Sequence, residues 1–286
     1  MPSLTFLLPV LAQLGGGIGT APASSLPLEI IEKKEDEARR AAAAGPGYTA
    51  PTSNRGGCIG AVEADPERSA RLAQEALDQA VGREKLRAGL CLGIALSDLG
   101  QFDEARDAFV TARDAAESDD HASRARLGAM AGNAQLASGD AARALLLLGP
   151  AAGESKLTED KALQASIALD RARALVALDQ GDEAAKALAE AREAAPEDAQ
   201  AWLLSATLSR RQDKLIEAQS QIDKAAQLAP RDPAVGLEAG VIAMLSDNED
   251  AARRSWNSVI AVAPESPEAG VARGYIAQLG ADASAP

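Results

Sequence analysis

Aromatic side chains are nearly absent: three Phe, two Tyr and two Trp in 286 residues, or 2%. The core must therefore be assembled from alanine and leucine, and alanine is the strongest helix former. There is one histidine, His121, and there are two cysteines, Cys58 and Cys91. A His/Cys zinc site needs about four such ligands, so none can be built within the chain. A Ser-His-Asp arrangement would have to use His121, yet Ser123 lies two positions away, and residues so spaced do not face one another on a helix. These shortages predict no catalytic residues, no metal and no cofactor. Basic residues are outnumbered, 29 Lys and Arg against 42 Asp and Glu, for a net charge of −13. That excludes the basic footprint of a nucleic-acid binder. The acidity reads as a solvated helix surface rather than a groove for a basic ligand, because arginines are interspersed almost throughout. Gly15-Gly16-Gly17-Ile18-Gly19 precedes no repeat helix and cradles no phosphate.

Long apolar runs are also missing. The one near the N-terminus, within Met1–Leu14, holds about 11 residues, where a spanning helix needs about 20. It fits the apolar region of a secretory signal, with small residues Ala21 and Ala23 at a cleavage site, although no Lys or Arg precedes it. Residues 1–23 are accordingly read as a signal peptide or N-terminal anchor, and residues 24–64 as a short helix plus a flexible linker. This predicts a periplasmic or secreted bacterial protein, cytoplasmic if the segment is not a signal. Membrane association follows only if the segment is retained uncleaved. In an oxidising compartment Cys58 and Cys91 could pair. In a reducing one they are free thiols, with Cys91 a small core residue.

What the chain has in plenty is punctuation. Pro196, Pro230 and Pro264 recur at intervals of 34 (230 − 196; 264 − 230), each inside a matching phrase: Ala195-Pro196-Glu197-Asp198, Ala229-Pro230-Arg231-Asp232, Ala263-Pro264-Glu265-Ser266. Proline cannot continue a helix. A stop signal at a fixed interval marks one repeated supersecondary unit. Between the stops, small and large apolar residues keep a second register. In the stretch from Leu86 to Asp119 the small residues are Gly93, Ala105 and Ala112, and the large ones are Leu92, Leu96 and Phe109. Helices whose axes approach to about 8–10 Å need small side chains where they cross. The units at 199–232 and 233–266 repeat this with Ala206, Ala218, Ile222 and Ala225, then Gly240, Ala252 and Trp256.

In period and residue size the chain resembles the tetratricopeptide-repeat family over residues 65–280. The resemblance implies an all-α, right-handed superhelical α-solenoid of about five helix pairs. A helix near 66–80 precedes the pairs, and a terminal capping helix near 266–279 closes them. Residues 281–286 read as a disordered tail. Two middle units depart from the pattern: Gly139-Asp140-Ala141-Ala142 and Gly181-Asp182-Glu183-Ala184 read as turns two residues short, 42 apart, with extra chain near 150–160. Asp119-Asp120 and Asp182-Glu183 sit at helix starts, where carboxylates complement the helix dipole.

Members of this family act as scaffolds, so the resemblance implies a non-enzymatic protein that binds a peptide or protein on its concave face. The ligand-facing places fall on Gln200, Leu203, Thr207, Arg210 and Arg211 in one unit, and on Ala234, Leu237, Val241, Met244 and Leu245 in the next. This predicts an apolar stripe beside a basic pair, suited to an amphipathic peptide with an acidic group near Arg210 or Arg211. The other reading is that the terminal helix, or a second copy of the chain in a self-assembling homo-oligomeric envelope protein, covers the stripe. The family's clamp for chaperone tails is incomplete, since Asn133 holds one place but Ala129 stands where lysine belongs.

Overall fold

In the computed structural model the described residues are 57–282, and all regular structure among them is helical. The expectations for residues 1–56, namely the signal segment, the short helix and most of the linker, lie outside the described residues, as does the tail beyond Asp282. Thirteen helices are described: α1 Cys58–Ala64, α2 Pro66–Gln79, α3 Gly82–Asp98, α4 Phe102–Asp114, α5 His121–Ala137, α6 Ala141–Ser155, α7 Lys161–Ala177, α8 Gly181–Ala194, α9 Ala199–Arg211, α10 Leu215–Leu228, α11 Pro233–Leu245, α12 Glu249–Val262 and α13 Pro267–Asp282. Contacts divide them into two compact units, residues up to Leu163 and residues from Gln164.

Short polar side chains start the helices. Asp65, Asp120, Asp140, Asp198 and Asp232 each accept a hydrogen bond from a backbone N–H of the first turn. Each such cap stabilises its helix by about 1 kcal/mol. Consecutive helices then pack as antiparallel pairs: α3 with α4 and α5 with α6 in the first unit, α9 with α10 and α11 with α12 in the second. In the second unit Arg171 of α7 also bonds Glu190 of α8 at 2.9 Å. These are the five pairs, with α2 before them and α13 packed on α11 and α12 after them.

Small residues sit where the helices cross. A β-carbon on Gly93 would strike the ring of Phe109, and one on Gly132 would strike Leu148. Phe109, Leu148, Ile222 and Ile242 are fully buried. Burying such a side chain contributes about 1.5–3 kcal/mol, which lets a core with few aromatics suffice.

Three boundaries differ from the sequence reading. The linker ends sooner than residue 64, because Cys58–Ala64 is helical and packs on α2 and α3. The terminal helix runs to Asp282, two residues into the stretch read as tail. The turns at 139 and 181 are not shortened. The five turns inside the helix pairs are the same: a residue at positive φ, followed by one whose N–H bonds the carbonyl five positions back. Gly100, Gly139, Asp179, Asp213 and Asp247 hold the positive φ. The bonds run Gln101→Leu96, Asp140→Gln135, Gln180→Leu175, Lys214→Ser209 and Asn248→Ala243, each 2.9 Å. The third turn is therefore centred on Asp179, and Gly181 is the first residue of α8. The extra chain lies chiefly in the first helices, which have 17 residues in α3, α5 and α7 but 13 in α9 and α11.

Candidate functional site

The expected ligand-facing residues all lie in the second unit, on α9 and α11, which pack against each other. Asp198 caps α9 and Asp232 caps α11, so both helices start at equivalent points and the 34-residue register carries across. Gln200 and Arg211 are exposed, Leu203, Thr207, Leu237, Met244 and Leu245 are partly exposed, and Val241 is buried at 8% exposure. Val241 thus belongs to the floor of the face rather than its surface. The Thr207 hydroxyl donates to the Leu203 carbonyl at 3.0 Å and is satisfied within α9.

The two arginines of the expected basic pair separate. Arg210 is held by Glu238 of α11: Nε to Oε1 is 2.6 Å and Nη2 to Oε2 is 3.3 Å. Only 10% of the Arg210 side chain and 13% of the Glu238 side chain is exposed. This two-pronged bond takes the Nε–Nη2 edge of Arg210 and, largely out of water, matches its charge, so a ligand carboxylate would meet an ion pair already formed. Arg211 instead lines a shallow hollow with Leu208, Gln212, Asp179 and Asp182.

Sequence reasoning missed two residues of this face. Glu238 stands next to Leu237 and one helical turn before Val241, which puts it on the same stripe. Tyr275 of α13 follows Val241 by 34, as Val241 follows Thr207 (275 − 241; 241 − 207), and that interval was the available signal. The Tyr275 ring lies 5.0 Å from Trp256. Its hydroxyl is buried and has no hydrogen-bond partner among the described residues. Burial raises its pKa to about 12, with Arg210 pulling the other way and Glu238 adding to the rise. The face therefore continues from α9 through α11 to α13.

Elsewhere, Cys58 of α1 and Cys91 of α3 are joined in a disulfide, with Cα atoms 5.4 Å apart. The Nδ1 of His121 lies 2.7 Å from Glu154, whose other oxygen takes Arg124 at 2.8 Å. No group of His, Cys, Asp and Glu among the described residues could hold a metal ion. No described helix is long and apolar enough to cross a membrane.

No protein-family model matches the chain, and no curated protein sequence does. Solved structures do match. YrrB, described as a TPR protein with an unusual peptide-binding site, aligns at TM-score 0.52 and 20% identity over 72% of this chain and 99% of its own. MamA from Desulfovibrio magneticus RS-1 aligns at TM-score 0.53 and 19% identity, over 66% of this chain and 99% of its own. BtubC from P. vanneervenii aligns at TM-score 0.59 and 15% identity, over 71% and 91%. At these identities the likeness speaks for architecture alone. Joined to the repeated turns and paired helices, it gives the conclusion that this chain has the tetratricopeptide-repeat fold.

Proposed function

We propose that the chain is a non-enzymatic scaffold that binds a segment of a partner protein across the first helices of its C-terminal repeats. One observation carries this: Leu203, Leu237, Met244 and Leu245 stay partly exposed together on α9 and α11. A solvated helix face does not gather large apolar side chains in this way. Helices fixed by caps and close packing present the surface ready-made, so the ligand alone bears the ordering cost. That YrrB is described as having a peptide-binding site supports the reading.

Export to the bacterial periplasm is part of the proposal. It rests on the apolar Met1–Leu14 segment and its small-residue cleavage site, and a Cys58–Cys91 bond suits an oxidising compartment. Sequencing the N-terminus of the mature chain tests it: Ser24 is the residue expected.

The binding reading is tested by titrating the full chain with peptides selected from a random library. Leu237→Asp combined with Met244→Asp is expected to abolish binding while helical circular dichroism is kept. Retention of both folding and all binding in that variant defeats the assignment.

A further inference from the structure

The charges on the floor of this face are already matched from within. Arg210 is closed off by Glu238, both largely buried. On α7 of the same unit, Arg173 is bonded by Asp170 at 2.7 Å, with Asp170 only 3% exposed. Asp170 precedes Glu238 by two repeat lengths (238 − 170 = 68), and Arg173 precedes Thr207 by one (207 − 173 = 34), so both pairs belong to the same stripe. Arg211, the other arginine of the expected pair, lies in the separate hollow beside Asp179 and Asp182. Along the same stripe stand the apolar Leu203, Leu237, Val241 and Met244, and the Thr207 hydroxyl is spent on its own helix. A ligand carboxylate taking the Nε–Nη2 edge of Arg210 would have to displace Glu238 and leave that carboxylate buried without its cation, and one brought to the other edge would itself be desolvated beside Glu238 with no unmatched cation to offset it.

We propose that Glu238 is the specificity-determining residue of this face: by occupying Arg210 it bars acidic segments, and the occupant is an uncharged, apolar segment of a partner protein. The inference rests on the groove reading above and reverses one of its details, the acidic group expected beside Arg210. Arg210 and Arg173 each have a carboxylate partner without the ligand, so a neutral ligand is the complement.

The experiment pans a displayed library of random peptides against the purified full chain and against Glu238→Gln. The wild type is expected to enrich apolar peptides poor in Asp and Glu. Their affinity should change less than about threefold between about 0.05 M and about 0.5 M NaCl, because no ion pair forms across the interface. Glu238→Gln frees Arg210 and should shift enrichment to peptides bearing a carboxylate, with roughly a tenfold gain for the acidic version of a selected peptide. If that variant unfolds, Arg210→Met with Glu238→Met replaces the pair by apolar groups and should bind the wild-type peptides within about threefold. Enrichment of acidic peptides by the wild type, steep loss of binding with salt, an unshifted preference in folded Glu238→Gln, or loss of the wild-type peptides by the folded double Met variant each overturns the assignment. A library yielding no binder sensitive to Leu237→Asp with Met244→Asp is a different result: it removes the groove itself, and this inference with it.

Discussion

Gly240 of α11 and Trp256 of α12 touch so closely that a β-carbon on Gly240 would sit inside the indole ring's van der Waals envelope. The ring cannot swing aside freely. It is 3% exposed, and its Nε1 donates to the Leu237 carbonyl at 3.2 Å. Gly240→Ala should therefore destabilise by about 1–3 kcal/mol, the clash outweighing alanine's better helix propensity. Gly274, exposed in α13 with nothing near its missing β-carbon, is the control. Gly274→Ala should stabilise by about 0.5–1 kcal/mol. Urea midpoints of the two variants moving the same way would refute the packing argument.

The Cys58–Cys91 disulfide fastens α1, a helix of seven residues, to α3. A helix that short has little stability of its own. Its buried contact is Val62, which joins the core cluster of Leu92, Phe109 and Leu127. Closing a loop of 33 residues contributes roughly 3–4 kcal/mol in the chain-entropy model. Replacing both cysteines by serine should lower the first unit's stability by that order, and a reducing agent should do the same to the native chain alone. Protection of the Val62 amide in hydrogen exchange should fall first. Protection that survives reduction would mean that packing alone holds α1.

Glu154 gives the first unit a dependence on acid. The His121 hydrogen bond, and after it Arg124, hold the Glu154 carboxyl below its ordinary value of 4.5. A depressed carboxyl contributes stability that is present above its unfolded value and disappears as pH falls through its folded one. Asp120, capping α5 through Ser123, is lowered in the same sense. The Glu154 side chain is 22% exposed, so solvent screening keeps the effect to about 1 kcal/mol. Glu154→Gln should cost about that much at pH 7 and nothing once the wild-type carboxyl is itself protonated. An equal cost at pH 7 and in strong acid would point to shape rather than charge.

The repeat register was legible because proline and small residues act through sterics, which sequence states directly. Pro196, Pro230 and Pro264 fixed the period, and Gly93, Ala206 and Gly240 fixed the crossings. The face was legible in position but not in state. That Arg210 is already occupied depends on Glu238, 28 residues away, reaching across from the next first helix. Tyr275 was hidden because α13 read as a cap, although it keeps the 34-residue interval. The middle turn was misplaced for a simpler reason. Glycine is the usual residue at positive φ, so Gly181 drew the assignment that belongs to Asp179.

Asp179, Asp213 and Asp247 recur at 34 (213 − 179; 247 − 213) and carry φ of 57°, 60° and 58°. Left-handed backbone costs an ordinary L-residue about 1–2 kcal/mol, less for Asp, whose short side chain tolerates it. Glycine removes that strain but loses more chain entropy on folding. Strain relief outweighs the entropy loss here, because the turn is held by the Lys214 N–H to Ser209 carbonyl bond at 2.9 Å and cannot relax. Asp213→Gly should therefore raise stability by up to about 1 kcal/mol. Asp213→Val, β-branched and least suited to positive φ, should lower it. Both are read from urea unfolding followed by Trp202 and Trp256 emission, since both indoles lie in the same unit as the turn. If glycine destabilises as much as valine, the aspartates are held there by something other than backbone conformation.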